Sequence, residues 1–208
     1  MNLEERWTAA WADLGLEVPH GVLATLLAAY GEPARAYHTT RHLDECFRAL
    51  DAARQMAESP GALAVALWFH DAVYDTRSFR NEEESARWAR EVLDGARAPV
   101  AVQSAVETLI LATRHGAYVQ GEGALPDAAL MVDVDLAILG ALPTRFAEYE
   151  DEIRRELSWV PGVIFRRERT RVLRSFVERP SIYATEVFRS RLEEQARTNL
   201  LGALARLG

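Results

Sequence analysis

The chain has 208 residues, 49% of them hydrophobic and 26% charged, with 31 acidic against 24 basic side chains and a formal net charge of −7. This is the composition of a globular protein with a sizeable core, and its acidic balance argues against nucleic-acid polymers as partners, since those require a basic surface. No apolar stretch approaches the ~20 residues that span a membrane, the N-terminal MNLEERWTAAW is acidic and unlike a signal peptide, and the single cysteine, Cys46, allows no intrachain disulfide, so a cytoplasmic protein is expected.

The pattern is helical nearly throughout. LEERWTAAWADLG repeats apolar residues at three and four, with Gly15 as a stop. PHGVLATLLAAYG opens on Pro19 and closes on Gly31. A loop, EPARAYHTT, leads to a helix expected from about Arg41 to Met56. Pro60 and Gly61 precede the apolar run ALAVALWFHDAVYD, read as the next helix. After a polar loop, DTRSFR, Asn81 reads as an N-cap with Glu84 completing a capping box, followed by a helix to about Leu93. Pro99 starts the helix PVAVQSAVETLILATRH, and GAYVQGEGALP reads as loop. DAALMVDVDLAILG is expected to be an apolar helix ending at Gly140, and Pro143, Pro161 and Pro180 introduce three more, the last reaching about Leu207. No segment alternates with period two over strand length. The expected fold is an all-α, single-domain helical bundle of eight to ten helices over 1–208, with a core at about 36–140 and C-terminal helices at 143–207 packed on it.

His70 and Asp71 stand side by side at the end of an apolar run. A buried carboxylate needs a partner, which is either a hydrogen-bond or ion-pair network or a bound metal. His42 lies on a helical face that also carries Cys46 and Leu50 at intervals of four, and Asp135 interrupts a second apolar run. Imidazole and carboxylate suit Mn, Fe, Co, Ni or Zn, and four such groups from three helices can enclose one ion. Asp133 and Asp135, two residues apart, point about 200° from each other on a helix. Asp135, deeper in the apolar run, is the better ligand candidate, and Asp133 reads as a capping or orienting residue.

The ordered set His42, His70–Asp71 and Asp135, with the flanking words YHTTRHL, WFHDAVYD, NEEESA, LATRH, VDVDLAILG, IRREL and EEQARTNL, resembles the HD superfamily of metal-dependent phosphohydrolases, in particular a bacterial branch of predicted HD phosphohydrolases. The likeness runs from about Trp7 to Leu204. It implies a helical domain of the HD type in which His42, His70, Asp71 and Asp135 bind one or two divalent metal ions, with Mn, Mg or Fe the first expectations and Zn, Ni or Co the others. It implies hydrolysis of a small phosphorylated molecule, such as a nucleotide, by metal-activated water, as a phosphatase or phosphodiesterase. One departure is plain. Better-understood HD nucleotidases carry an acid three residues after the HD Asp, where this chain has Tyr74, and the nearest acid is Asp75. This departure motivates an alternative, a non-catalytic module that keeps the metal cage and binds a nucleotide.

Further candidates surround this set. Asp71 can bridge two metals. Glu82, in the first turn of a helix, is a candidate base helper, and His115 a candidate ligand to a second metal or a phosphate contact. His38, Arg41 and Arg114 are candidate substrate contacts, and Arg35 and Tyr37 stand in the loop before them. Cys46 reads as a buried inert thiol, with thiolate ligation the alternative. The arginines of FRRERTR read as a solvated face. The amphipathic terminal helices leave self-association as a homo-oligomer open.

Overall fold

The structure is a computed structural model that describes residues 1–114 and 126–208. Among the described residues every regular element is a helix and there is no strand, as the periodicity predicts. The chain divides into two compact units, 1–134 and 135–208.

The first unit carries α1 (Leu3–Asp13), α2 (Val22–Tyr30), α3 (Thr40–Asp51), α4 (Pro60–Phe69), α5 (Asn81–Gly95), α6 (Val100–Ala112) and α7 (Pro126–Asp135), the last residue of α7 being the first of the second unit. α4 is the centre of its core. Every residue from Gly61 to Phe69 is buried, as expected for a helix apolar on all sides. Aromatic rings lock it in place. Trp7 of α1 meets Trp68 edge-on at 5.3 Å, Phe47 of α3 lies 5.3 Å from Trp68, and Trp88 of α5 lies 5.7 Å from Phe69. At Gly61 a Cβ would come within 3.0 Å of Asp13 and Leu14 side-chain atoms, so glycine is what lets the end of α1 approach the start of α4.

A helix sunk this deep has little water to serve its terminal N–H and C=O groups, so protein must do so. Just before the N-terminus, in the exposed turn that leads into α4, the Asp127 carboxylate, from the first turn of α7, accepts from the backbone N–H of Glu58 and Ser59 at 2.8 Å each. At the C-terminus the Tyr30 hydroxyl donates to the Trp68 carbonyl at 3.2 Å. The Arg35 guanidinium donates to the carbonyls of Asp71 at 2.5 Å and Ala72 at 3.0 Å. An anion thus sits at the positive end of the helix and a cation at the negative end, the favourable sense for its dipole.

Several boundaries differ from expectation. α2 starts at Val22, after Gly21 at φ +78°, so Pro19 does not open it. α3 stops at Asp51, and a 3-10 turn follows at Arg54–Met56. α4 ends at Phe69, so His70 and Asp71 occupy its C-terminal edge and not its interior. The Asn81 capping box is absent. Asn81 is already helical, and its side chain serves the loop instead, accepting from Asp75 N–H and donating to Asp75 C=O at 3.0 Å each. α7 tightens into a 3-10 segment, Leu136–Gly140, rather than running on as one α-helix.

The second unit holds that 3-10 segment with α8 (Pro143–Glu156), α9 (Gly162–Val177) and α10 (Glu186–Leu207). Pro180 does not open α10, which begins five residues beyond Ser181. Asn199 of α10 donates to the carbonyls of Leu139 and Ala141 at 2.8 Å each, closing the end of the 3-10 segment. Glu193 holds the stretch before α10, accepting from the N–H of Ile182 at 3.0 Å and Tyr183 at 3.3 Å, and it pairs with Arg197 at 2.8 Å.

Two predictions follow from these caps. Asp127→Ala removes a charged acceptor from two N–H groups and is expected to lower stability by about 2–3 kcal/mol, read by urea unfolding. For Glu193, burial raises the carboxyl pKa, but the N–H groups of Ile182 and Tyr183 and the Arg197 guanidinium outweigh it, so the folded value is lowered. A depressed folded pKa gives stability that is present above the unfolded value of ~4.3 and lost as pH falls through the folded one. Glu193→Gln is therefore expected to cost about 1–2 kcal/mol at pH 7, with the gap to wild type closing as unfolding is repeated below about pH 4.

Candidate metal centre

The candidate centre is built by α3, α4 and α7. Thr39 starts α3, its hydroxyl accepting from Arg41 N–H at 3.3 Å. One turn later His42 lies on the buried stripe with Leu43, Cys46, Phe47 and Leu50. His70 ends α4 and Asp71 follows it in the turn that Arg35 holds. The two histidine side chains are only 2% and 1% exposed, while that of Asp71 is 18% exposed, so the carboxylate marks the accessible side.

The donor atoms converge. His42 Nε2 lies 3.2 Å from His70 Nε2, and Asp71 Oδ2 lies 3.5 Å from the first and 3.1 Å from the second. Ligands about 2.1 Å from one ion are about 3.0 Å apart at the edges of an octahedron and about 3.4 Å apart in a tetrahedron. These three separations fall in or beside that range, so the donor set fits a divalent metal. His42, Cys46, His70 and Asp135 likewise each offer a ligand atom, all within 4.8 Å of one another, and this group could hold a metal ion. Asp135 is half-buried and in the group, whereas Asp133 is fully buried and not in it, the division that their spacing on α7 implies.

The orientation of His70 is fixed by its other nitrogen. Nδ1 lies 2.8 Å from the Leu67 carbonyl, which can only accept, so Nδ1 carries the proton and a neutral ring leaves Nε2 as a lone pair facing the group. His42 is flanked by Tyr37, with ring centroids 4.6 Å apart, and by His38 at 5.7 Å. Cys46 Sγ lies 3.6 Å from its Nε2 and 3.7 Å from its Nδ1. Burial pushes the Asp71 carboxyl up, but with His70 and His38 in their protonated forms their charges, and hydrogen bonds from His42 and His70, outweigh it and hold the group well below the usual carboxylate range; the lone pair on His70 Nε2 belongs to the neutral ring that a metal would require. Nearby, burial is the main cause that lifts the Tyr30 hydroxyl to about 12.

The remaining expected residues are distributed as follows. His38 stacks on Tyr74, centroids 4.1 Å apart, beside the histidine pair. Arg41 is exposed, with its Nε 3.3 Å from Glu45 on its own helix. Arg114 pairs with Glu83, lies 3.8 Å from Glu82, and donates to the Phe79 carbonyl at 3.1 Å. The hydrogen bond from Arg114 is the first cause that holds the Glu83 carboxyl below its ordinary value. His115 lies outside the described residues. Asp75, the acid nearest the Tyr74 position, is exposed and accepts from Arg77 N–H at 2.9 Å in its own loop.

One role was not apparent in the sequence, and another was the less favoured of two readings. Arg35 is not aimed at a phosphate. Its guanidinium is buried, bonds three carbonyls, pairs with Glu32 at 3.1 Å, and lies 5.3 Å from the Tyr30 ring and 5.5 Å from the Tyr74 ring. Cys46 joins the donor group, for which its position four residues after His42 was the available signal. No protein-family model, curated protein or solved structure gives a significant match to this chain.

Proposed function

We propose that the chain is a metal-dependent phosphohydrolase acting on a small phosphorylated molecule, with His42, His70, Asp71 and Asp135 as the metal-binding residues. The observation that carries the reading is the close approach of two imidazole Nε2 atoms and the Asp71 carboxylate, 3.1–3.5 Å apart on a largely buried surface. When bound, a divalent ion supplies a Lewis acid for a phosphoryl oxygen and lowers the pKa of attacking water. The protein's part is positioning. The Leu67 carbonyl turns the His70 lone pair toward the site, Arg35 holds the Asp71 backbone, and His38, stacked on Tyr74, is the candidate contact for an anionic group of the substrate. The resemblance to HD phosphohydrolases favours phosphate chemistry over other metal-assisted hydrolysis.

A binding module without turnover is the second reading. The observation that favours it is that Tyr74 fills the position of the usual acid while Asp75 faces its own loop.

Elemental analysis of protein purified without a metal-binding tag is expected to find about one equivalent of metal or more, reduced in folded His42→Ala and Asp135→Ala. Absence of metal from wild type after incubation with Mn, Fe, Co and Zn would overturn the metal reading. With metal restored, a panel of phosphate mono- and diesters and nucleotides is expected to reveal turnover. In Asp71→Ala, turnover should fall by more than the roughly 10- to 100-fold that loss of an orienting partner costs. A fully metallated wild type that turns over none of the panel but binds nucleotides would select the module.

A further inference from the structure

We propose that Cys46 is a further metal ligand, and that its sulfur makes the centre selective for a thiophilic divalent ion of the zinc and cobalt class over magnesium and manganese. This rests on the metal-binding part of the function proposed above and is independent of phosphate chemistry. Residues four apart on a helix present their side chains to the same side, and His42 and Cys46 are such a pair on the buried face of α3. The thiol is therefore inside the donor group. A ligand atom from each of His42, Cys46, His70 and Asp135 lies within 4.8 Å of the others. A second observation points the same way, since the Leu67 carbonyl fixes His70 with Nε2 toward this group.

The set contains two nitrogens, one oxygen and one sulfur, a donor set suited to tetrahedral zinc or cobalt. With bonds of ~2.3 Å to sulfur and ~2.1 Å to nitrogen, a tetrahedral site has an S···N edge of about 3.6 Å, so a sulfur 3.6 Å from Nε2 stands within reach of the same ion but not yet in line with the lone pair. Sγ is almost equally far from Nδ1, at 3.7 Å, so it stands beside the imidazole ring. Ligation takes a rotation about the Cys46 Cα–Cβ bond that brings the sulfur off the ring edge. The S–H bond is replaced by a sulfur–metal bond, and the proton passes to solvent. Asp71, which approaches both Nε2 atoms, offers a harder oxygen to the same centre. Adding the soft Cys46 sulfur to these nitrogen and oxygen donors shifts the preference of the centre toward zinc and cobalt.

The test is titration of metal-free, reduced protein with Co(II), followed by absorption. Wild type is expected to show both the visible ligand-field bands of bound cobalt and a near-ultraviolet sulfur-to-cobalt charge-transfer band. Cys46→Ser and Cys46→Ala, each checked for folding by circular dichroism, should keep the visible bands and lose the ultraviolet one. Zinc affinity should fall in both variants by roughly 10- to 100-fold or more, with manganese affinity little changed. Visible bands in wild type without the charge-transfer band would overturn the thiolate ligand and leave a nitrogen–oxygen centre standing. A zinc affinity unchanged in both variants would also overturn it. Failure of wild type to bind cobalt, zinc or manganese would sink this inference together with the metal reading.

Discussion

The first unit depends on one constraint: α4 is buried from Gly61 to Phe69, and its ends must still be hydrogen-bonded. A surface helix leaves its terminal groups to water, but here the Asp127 carboxylate serves the N-terminal side while Tyr30 and Arg35 serve the C-terminal side. An unsatisfied buried backbone group costs about 1–3 kcal/mol, a penalty that the Tyr30 hydroxyl spares at the buried Trp68 carbonyl, while Asp127 and Arg35 anchor the segments on either side of the helix. They also fix the helix axially. The aromatic packing of Trp7, Phe47 and Trp88 around Trp68 and Phe69 resists movement across the axis. The two sets together determine where His70 and Asp71 emerge.

The candidate centre is where this rigidity is used. Two imidazole nitrogens at 3.2 Å cannot both present bare lone pairs to each other without repulsion, so the arrangement needs either a shared proton or a cation. The Leu67 carbonyl removes part of the choice by claiming the His70 Nδ1 proton. Asp71 then supplies negative charge beside the pair, which favours a positive species between them. A proton between the rings would answer the requirement, and so would a divalent ion. The same atoms thus hold a polar network or a metal with little rearrangement. This is why the buried-network and metal readings of His70–Asp71 both arise from the residues alone.

What could be read from sequence follows from whether its cause is local. The all-α class is a local property, since apolar spacing at three and four persists along the chain. The stop at Gly15 is also local, as this glycine has φ +68°. That Asp133 and Asp135 cannot both face one ion needed only the helical period, whereas the preference for Asp135 rested on the apolar run around it. Other features depend on distant partners. α4 ends at Phe69 although apolar residues continue to Val73, because Tyr30 and Arg35 take up the carbonyls there, and nothing within the segment itself announces them. Asn81 carries a good local capping signal, yet Asp75 offers it two hydrogen bonds across the loop. Arg35 lies in a loop where it reads as a candidate phosphate contact, and its burial makes sense only once the carbonyls and the Tyr30 and Tyr74 rings surround it.

The two halves of Asp71 separate structure from chemistry. Its backbone carbonyl accepts from Arg35 and belongs to the scaffold, while its carboxylate faces the histidines and belongs to the centre. Truncating the side chain leaves the carbonyl in place, so the turn after α4 keeps its anchor when the carboxylate is gone. Removing the guanidinium has the opposite effect: it leaves every proposed ligand chemically intact but frees the segment that carries two of them. His42 has no comparable division, because its ring is packed between Tyr37 and Cys46 as well as facing the donor group. Loss of function at Asp71 therefore speaks to chemistry, at Arg35 to preorganisation, and at His42 to both at once.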